Sequence, residues 1–235
     1  VLGNLAGGAV AYGEGDGAAV LDADATVSDV DSPDFDTGSL HVVFGVGQDV
    51  AEDVLSIENE GTGAGQIGTS GSNVSYAGTT IGTFTGGSTG SALVITLDSD
   101  ATPTAAQALV RKITYENTDL DAPTIGARGV TFVLTDGDGG TSSTDTVTVT
   151  VSAVNDPPVI TITAPVEGQV ITGTSADLNV SITGTGYDHW HYRLDTTFPA
   201  SGPAGGEMVM SGSIVALTDL LPGSHFIQVA LVDAS

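Results

Sequence analysis

Three observations predict that this chain is all-β and folds as two tandem antiparallel β-sandwiches. Val, Ile, Thr and Gly dominate, and aromatics make up only 5% of the residues, a composition that suits strands joined by tight turns. Alternating apolar and polar residues recur in short runs, while no stretch sustains apolar residues at helical spacing. Asn155-Asp156-Pro157-Pro158 then breaks the pattern between two such regions. Proline cannot donate to a strand ladder, so the doubled proline ends one sandwich, and a new strand begins directly behind it. The domains are read as 1–156 and 157–235, joined end to end by a short, stiff linker.

In the first domain, strands are predicted near 18–28, 39–45, 53–58, 74–76, 80–84, 91–97, 111–116, 129–135 and 145–154. Glycine-rich turns at 61–65 and 86–90 separate them, and short strands at this spacing suit an antiparallel sandwich. The segment 103–113, PTAAQALVRKI, is the best helical candidate, with proline at its first position and Ala and Leu behind it. Residues 130–135 run into Asp136-Gly137-Asp138-Gly139-Gly140, where Asp and Gly tolerate the positive φ of a hairpin turn. The alternating run TVTVTVSAV at 146–154 forms the returning arm. In the second domain, strands are predicted near 159–163, 169–172, 176–183, 188–195, 207–210, 213–218 and 224–232. A final strand is expected to be missing, or supplied by a later stretch of a longer parent chain.

The chain carries 29 acidic residues against 4 basic ones, a net of −25. Such a surface repels nucleic acid and anionic membranes, which argues against nucleic-acid binding. A compact fold at this charge also repels itself, and either high ionic strength or bound divalent cations relieves it. Residues 1–156 hold 22 acidic and 3 basic residues, a net of −19, whereas 157–235 hold 7 and 1, a net of −6. Cation sites are therefore expected in the first domain. Cysteine is absent, as is common in bacterial surface proteins. No stretch is long and apolar enough to span a bilayer, and the start at Val1 without a signal peptide predicts a fragment of a longer exported chain.

Calcium takes six to eight oxygen ligands, so a site needs carboxylates converging from different loops. Four acidic groups qualify. They are Glu14 with Asp16, the run from Asp22 to Asp36 that includes Asp29 and Asp31, Asp136 with Asp138, and Asn155 with Asp156. Asp136 and Asp138 lie one strand length before the linker, so they are expected at the opposite end of the domain, near 29–36. Against a metal role, Asp-Gly turns are ordinary hairpin chemistry, and the run near Asp29 lacks the EF-hand spacing. In the second domain, alternation through DHWHYRLD at 188–195 places Trp190, Tyr192 and Leu194 on one face and His189, His191 and Arg193 on the other. Trp190 then serves as core. Two further readings are Trp190 and Tyr192 stacking on a sugar ring, and His189 with His191 joining His225 as metal ligands. Catalysis finds no support, because the chain has no cysteine nucleophile and no GxSxG elbow, and its carboxylate pairs sit in turns.

Several segments of the first domain carry a family likeness. They are AYGEGDGAAVLDADATVSDVDSPDF from Ala11, DVLSI at 53–57, VSYAGTTIGT at 74–83, AAQALVRKITYE at 105–116, and 128–158. Together they resemble a bacterial cadherin-like tandem repeat, similar to repeats of chondroitin-sulfate-proteoglycan type. Tyr115, Arg128 and Asn155–Pro158 fit best. The likeness implies an exported multi-domain protein for adhesion or matrix binding, with Asn155 and Asp156 at a domain junction. The strand pattern of the second domain resembles an immunoglobulin-like sandwich. The expected function is a non-catalytic, extracellular, calcium-binding module of a bacterial adhesin or surface protein, acting as a calcium-stiffened rod. Its partners would be neighbouring repeats of the parent chain, with a glycan or surface protein beyond them. The alternative is an accessory carbohydrate-binding region of a secreted polysaccharide-degrading enzyme.

Overall fold

The computed structural model describes residues 2–5, 9–154, 157–184, 186–199 and 205–233. The chain divides into two compact units, Val1–Val154 and Asn155–Ser235, each with its own core. Unit one contains β1 (Leu2–Gly3), β2 (Ala9–Gly13), β3 (Ala19–Val20), β4 (Thr26–Val27), β5 (Ser39–Phe44), β6 (Asp53–Ile57) and β7 (Ile67–Ser70). It continues through β8 (Asn73–Tyr76), β9 (Thr79–Thr85), β10 (Leu93–Leu97), α1 (Pro103–Val110), β11 (Ile113–Asn117), β12 (Gly126–Thr135) and β13 (Asp145–Ser152).

Eight of these strands form one sheet in the order β2-β13-β12-β5-β10-β9-β8-β7, and β3-β11-β6 form a second. All pairings are antiparallel except that of β2 with β13. The sheets face each other. Tyr115 of β11 meets Tyr12 of β2 edge to face at 4.9 Å, and Phe44 of β5 at 6.0 Å. Alternation does the sorting, because successive side chains of a strand point to opposite faces. Val130, Phe132 and Leu134 of β12 and Val147, Val149 and Val151 of β13 are buried, and the residues between them are not.

Helix α1 follows from its ends. Thr102 caps it by accepting from the Ala105 N–H at 3.3 Å, proline occupies the first turn, and Ala105, Ala106, Leu109 and Val110 face the core. The strand predicted over 18–28 is two short strands, β3 and β4. Asp22 Oδ1 accepts from the Asp24 and Ala25 N–H groups at 2.9 and 2.7 Å, so an Asx turn takes the amides that a continuous ladder would need.

Unit two contains β14 (Val159–Ala164), β15 (Ala176–Thr183), β16 (Tyr187–Leu194), β17 (Glu207–Val209), β18 (Ile214–Leu217) and β19 (Ile227–Asp233). They form two three-stranded antiparallel sheets, β14-β15-β18 and β17-β16-β19. Leu178, Val180 and Leu217 from the first sheet and Trp190 from the second are the fully buried apolar residues among those described. The strand predicted at 169–172 does not form, and Val170 there is 86% exposed. With no core to face, its apolar side chains gain nothing from an extended conformation.

Candidate metal centre

β5 and β12 end together, with Ser39 paired to Thr135, and from that edge two loops project side by side. One is 28–38, which leads into β5. It is pinned by buried Phe35, whose N–H donates to the Ala101 carbonyl at 3.0 Å. The other is the turn at 136–140. Gly137 joins them, since a Cβ there would lie 1.9 Å from the Asp36 carbonyl and its φ is +90°. Only glycine permits both the approach and the conformation.

This joint brings Asp29, Asp31 and Asp136 together, each offering a carboxylate oxygen within 4.8 Å of the others. Asp136 is oriented from behind, as its Oδ1 accepts from the Asp138 N–H at 2.9 Å and the Gly140 N–H at 2.8 Å. Asp29 Oδ2 is buried and has no hydrogen-bond partner. The carboxyl of Asp31 is raised above the usual carboxylate range by its hydrogen bond to Asp29, then by the charges of Asp29 and Asp136. Asp29 is lowered by the same hydrogen bond. Crowded carboxylates of this kind can accept a hard cation in place of the shared proton.

The other predicted ligands lie elsewhere. Asp138 is exposed and contributes its backbone N–H to the turn, and its carboxylate is not among the three that converge. Glu14 and Asp16 sit at the far end of β13, about 24 Å along a strand of this length. Glu14 bonds the last residues of the unit, with its N–H on the Ser152 carbonyl at 3.0 Å and its Oε2 accepting from the Val154 N–H at 2.9 Å. Asp16 Oδ2 accepts from the Gly13 N–H at 2.7 Å and braces a turn. Neither residue joins Asp29. Asn155 and Asp156 lie outside the described residues.

A buried polar network at the Glu14 end is not predicted from the sequence. Asp53, Asn117, Arg128 and Tyr115 are all at most 2% exposed. Asp53 Oδ2 accepts from Arg128 Nε at 2.8 Å and from the Asp49 N–H at 2.6 Å. Its Oδ1 accepts from the Tyr115 hydroxyl at 2.6 Å and Asn117 Nδ2 at 3.3 Å. Arg128 Nη2 also donates to the Thr124 carbonyl. Burial, then the bond to Asp53, pushes the Tyr115 phenol far above its usual range, so it remains a donor. With every charge paired, this is a structural device.

In unit two, Trp190 is 1% exposed and its Nε1 donates to the Gly212 carbonyl at 3.0 Å. Sugar stacking on Trp190 is therefore corrected, because its ring faces are covered by core. Tyr192 packs against that same cluster, half-buried. His225 is bound apart from the other histidines, with Nδ1 on Asp195 Oδ2 at 2.6 Å and Nε2 on the Leu221 carbonyl at 2.7 Å. His189 and His191 meet each other, with their Nε2 atoms 2.9 Å apart.

Among known proteins, no family model matches the chain. Halomucin of Haloquadratum walsbyi is 34% identical over 145 residues, which span 60% of this chain and 2% of that protein. Two solved structures align at low similarity. The fibronectin(III)-like modules of Clostridium thermocellum CbhA share 14% identity, with 82% of this chain and 85% of that chain covered and a TM-score of 0.25. A chaperone–tip adhesin complex of CFA/I fimbriae biogenesis shares 10% identity, with 98% of each chain covered and a TM-score of 0.29. At those scores neither bears on what the chain does. No helix among the described residues is long and apolar enough to cross a membrane.

Proposed function

We propose that this chain is a non-catalytic, calcium-binding extracellular segment of a much longer surface protein, stiffened by an ion held between Asp29, Asp31 and Asp136. The observation that carries this reading is the convergence of three carboxylates from two loops, with one oxygen of Asp29 buried and unpartnered. An oxygen closed to water is costly unless a shared proton or a cation stands beside it. Calcium suits the set better than magnesium, which dehydrates reluctantly and is seldom caged by protein alone. The likeness to halomucin supports a segment of a far longer chain, since the matched stretch is 2% of that protein. Bound ions would cross-link loops and offset the self-repulsion of a chain with a net charge of −25. Neighbouring segments of the parent chain are the expected partners, and adhesion is the expected use.

The test is thermal unfolding in excess EGTA and across calcium and magnesium titrations. At one hundred times the dissociation constant, a single site adds roughly 2.7 kcal/mol to the native state. For a unit of this size that is a rise of roughly 5–11 °C. The gain should saturate, exceed that with magnesium and vanish in Asp136→Asn. An unchanged melting temperature, or an equal gain in Asp136→Asn, would defeat the proposal.

A further inference from the structure

His189 and His191 stand two residues apart on β16 and meet through their outer ring nitrogens, Nε2 to Nε2, at 2.9 Å. The inner nitrogens are already committed. His189 Nδ1 lies 2.8 Å from Asp188 Oδ2, and His191 Nδ1 lies 3.1 Å from the Gly206 carbonyl. A carbonyl and a carboxylate oxygen only accept, so each Nδ1 carries the hydrogen of its ring. Each neutral ring then presents a bare Nε2 lone pair to the other. Two lone pairs at this distance repel unless a cation stands between them.

The neighbouring strand indicates which cation. His191 pairs with Met208 on β17, and cross-strand partners project on the same face. Trp190 and Val209 are the next pair and point to the core, so the histidine face is the opposite one. Met210 follows two residues on, just past the end of β17. These are the only two methionines of the chain, and they are 57% and 62% exposed. The face is not open throughout, since His191 is 8% exposed, and thioether sulfur is a soft ligand that suits Cu(I).

We propose that His189 and His191, with Met208 opposite His191 and Met210 just beyond it, form a copper(I) site on the face of β16 and β17 turned away from the core. A metal–nitrogen bond of about 2.0–2.1 Å brings two imidazoles of one tetrahedral ion to roughly 3.3 Å apart, a small outward rotation from the observed pair. The Asp188 and Gly206 contacts would hold the rings in the tautomer a metal requires.

The experiment uses the whole chain in millimolar calcium, which keeps the surface carboxylates occupied. Cu(I) is supplied anaerobically from a chromogenic chelator, and Trp190 fluorescence monitors the fold. The expected result is transfer of one Cu(I) per chain and its loss in His189→Gln. Asp188→Asn should weaken binding by about tenfold. In the Met208→Leu, Met210→Leu double variant the preference for Cu(I) over Zn(II) should disappear. No transfer, or transfer unaffected by His189→Gln, overturns the site. So does nitrogen-15 NMR showing that an added proton bridges the pair and that copper leaves both rings unchanged. Equal retention of Cu(I) preference in the methionine variant overturns the copper assignment.

Discussion

Asp53→Ala removes the acceptor on which the buried network of unit one converges. In the folded chain its carboxylate receives Arg128 Nε at 2.8 Å, the Tyr115 hydroxyl at 2.6 Å, the Asp49 N–H at 2.6 Å and Asn117 Nδ2 at 3.3 Å. Arg128 is 2% exposed, so its charge would be stranded away from water. Removing one partner of a buried pair costs about 3–5 kcal/mol. Each neutral donor left unpaired adds about 1–3 kcal/mol, less than additively because all of them share one acceptor. A loss of about 5 kcal/mol is therefore expected, a large share of the roughly 5–15 kcal/mol that holds a domain. Urea unfolding reads it on two probes. Trp190 is the one tryptophan and lies in the core of unit two, so its fluorescence follows that unit, while far-UV circular dichroism follows both. With a slope of about 1–3 kcal/mol per molar urea, the unit-one midpoint should fall by roughly 2 M or more. The fluorescence midpoint should stay in place. The double variant Asp53→Leu, Arg128→Met no longer strands a charge and should recover roughly 3 kcal/mol. A double variant as unstable as Asp53→Ala would refute the role given to the charge, and a single variant that loses under about 1 kcal/mol would refute the network as a whole.

Gly137→Ala should lower the melting temperature of unit one and abolish its calcium-dependent rise, because the new Cβ meets the Asp36 carbonyl. Gly139→Ala, at φ +110° but with nothing within 4 Å, should cost less, and similar losses in the two variants would count against the loop joint. His225 is raised by the Leu221 carbonyl and then by Asp195, so its contribution to unit two is complete below about pH 6.5 and disappears as pH rises through the raised value. Asp195 is lowered by His225, and its share is lost as pH falls below about 4. Trp190-monitored melting should show both slopes, and a His225→Asn variant that keeps the upper one would exclude the pair as its source. Trp190→Ala should cost about 3–5 kcal/mol and unfold unit two, seen by loss of dispersed amide signals, against a small core of Leu178, Val180 and Leu217. Raising salt from about 0.1 to 1 M shortens the screening length from about 10 to 3 Å, and should raise the melting temperature of the chain in EGTA.

Much of the fold is legible because alternation sorts the strands. The inward phase of β12 reads Arg128, Val130, Phe132 and Leu134, and that of β6 reads Asp53, Leu55 and Ile57. The same rule sends Tyr115 and Asn117 inward from β11. Polar residues at one end of three inward phases are therefore a readable sign of the network, although no sequence rule says that the three ends meet. β2 is less legible, since its parallel pairing with β13 joins residues about 140 positions apart and leaves no local trace. The candidate metal centre is legible as a neighbourhood, the acidic run at 22–36 beside the turn at 136–140. Which carboxylates converge is set by backbone donors. The Asp138 and Gly140 amides turn the Asp136 side chain toward Asp29, while the Asp138 side chain points outward and is exposed.

The four basic residues are all engaged inside the fold. Arg128 is buried on Asp53, and Arg111 Nε donates to the Ala25 carbonyl at 2.7 Å. Lys112 lies between Glu58 and Glu60 at 3.0 and 2.8 Å. Arg193 donates to the Thr197 carbonyl at 2.7 Å and covers the Phe198 ring at 5.5 Å. Lys112 and Arg128 between them engage three carboxylates. Most of the 29 acidic residues must find their counter-charge in solution. At isolated surface positions, diffuse counterions suffice. Asp29, Asp31 and Asp136 differ, because three carboxylates share one small space and one oxygen is closed to water. On the proposed reading, diffuse salt and a bound divalent ion would act at different places on this chain. Sodium should raise stability gradually and without saturating, while calcium should add a saturable increment that depends on Asp136.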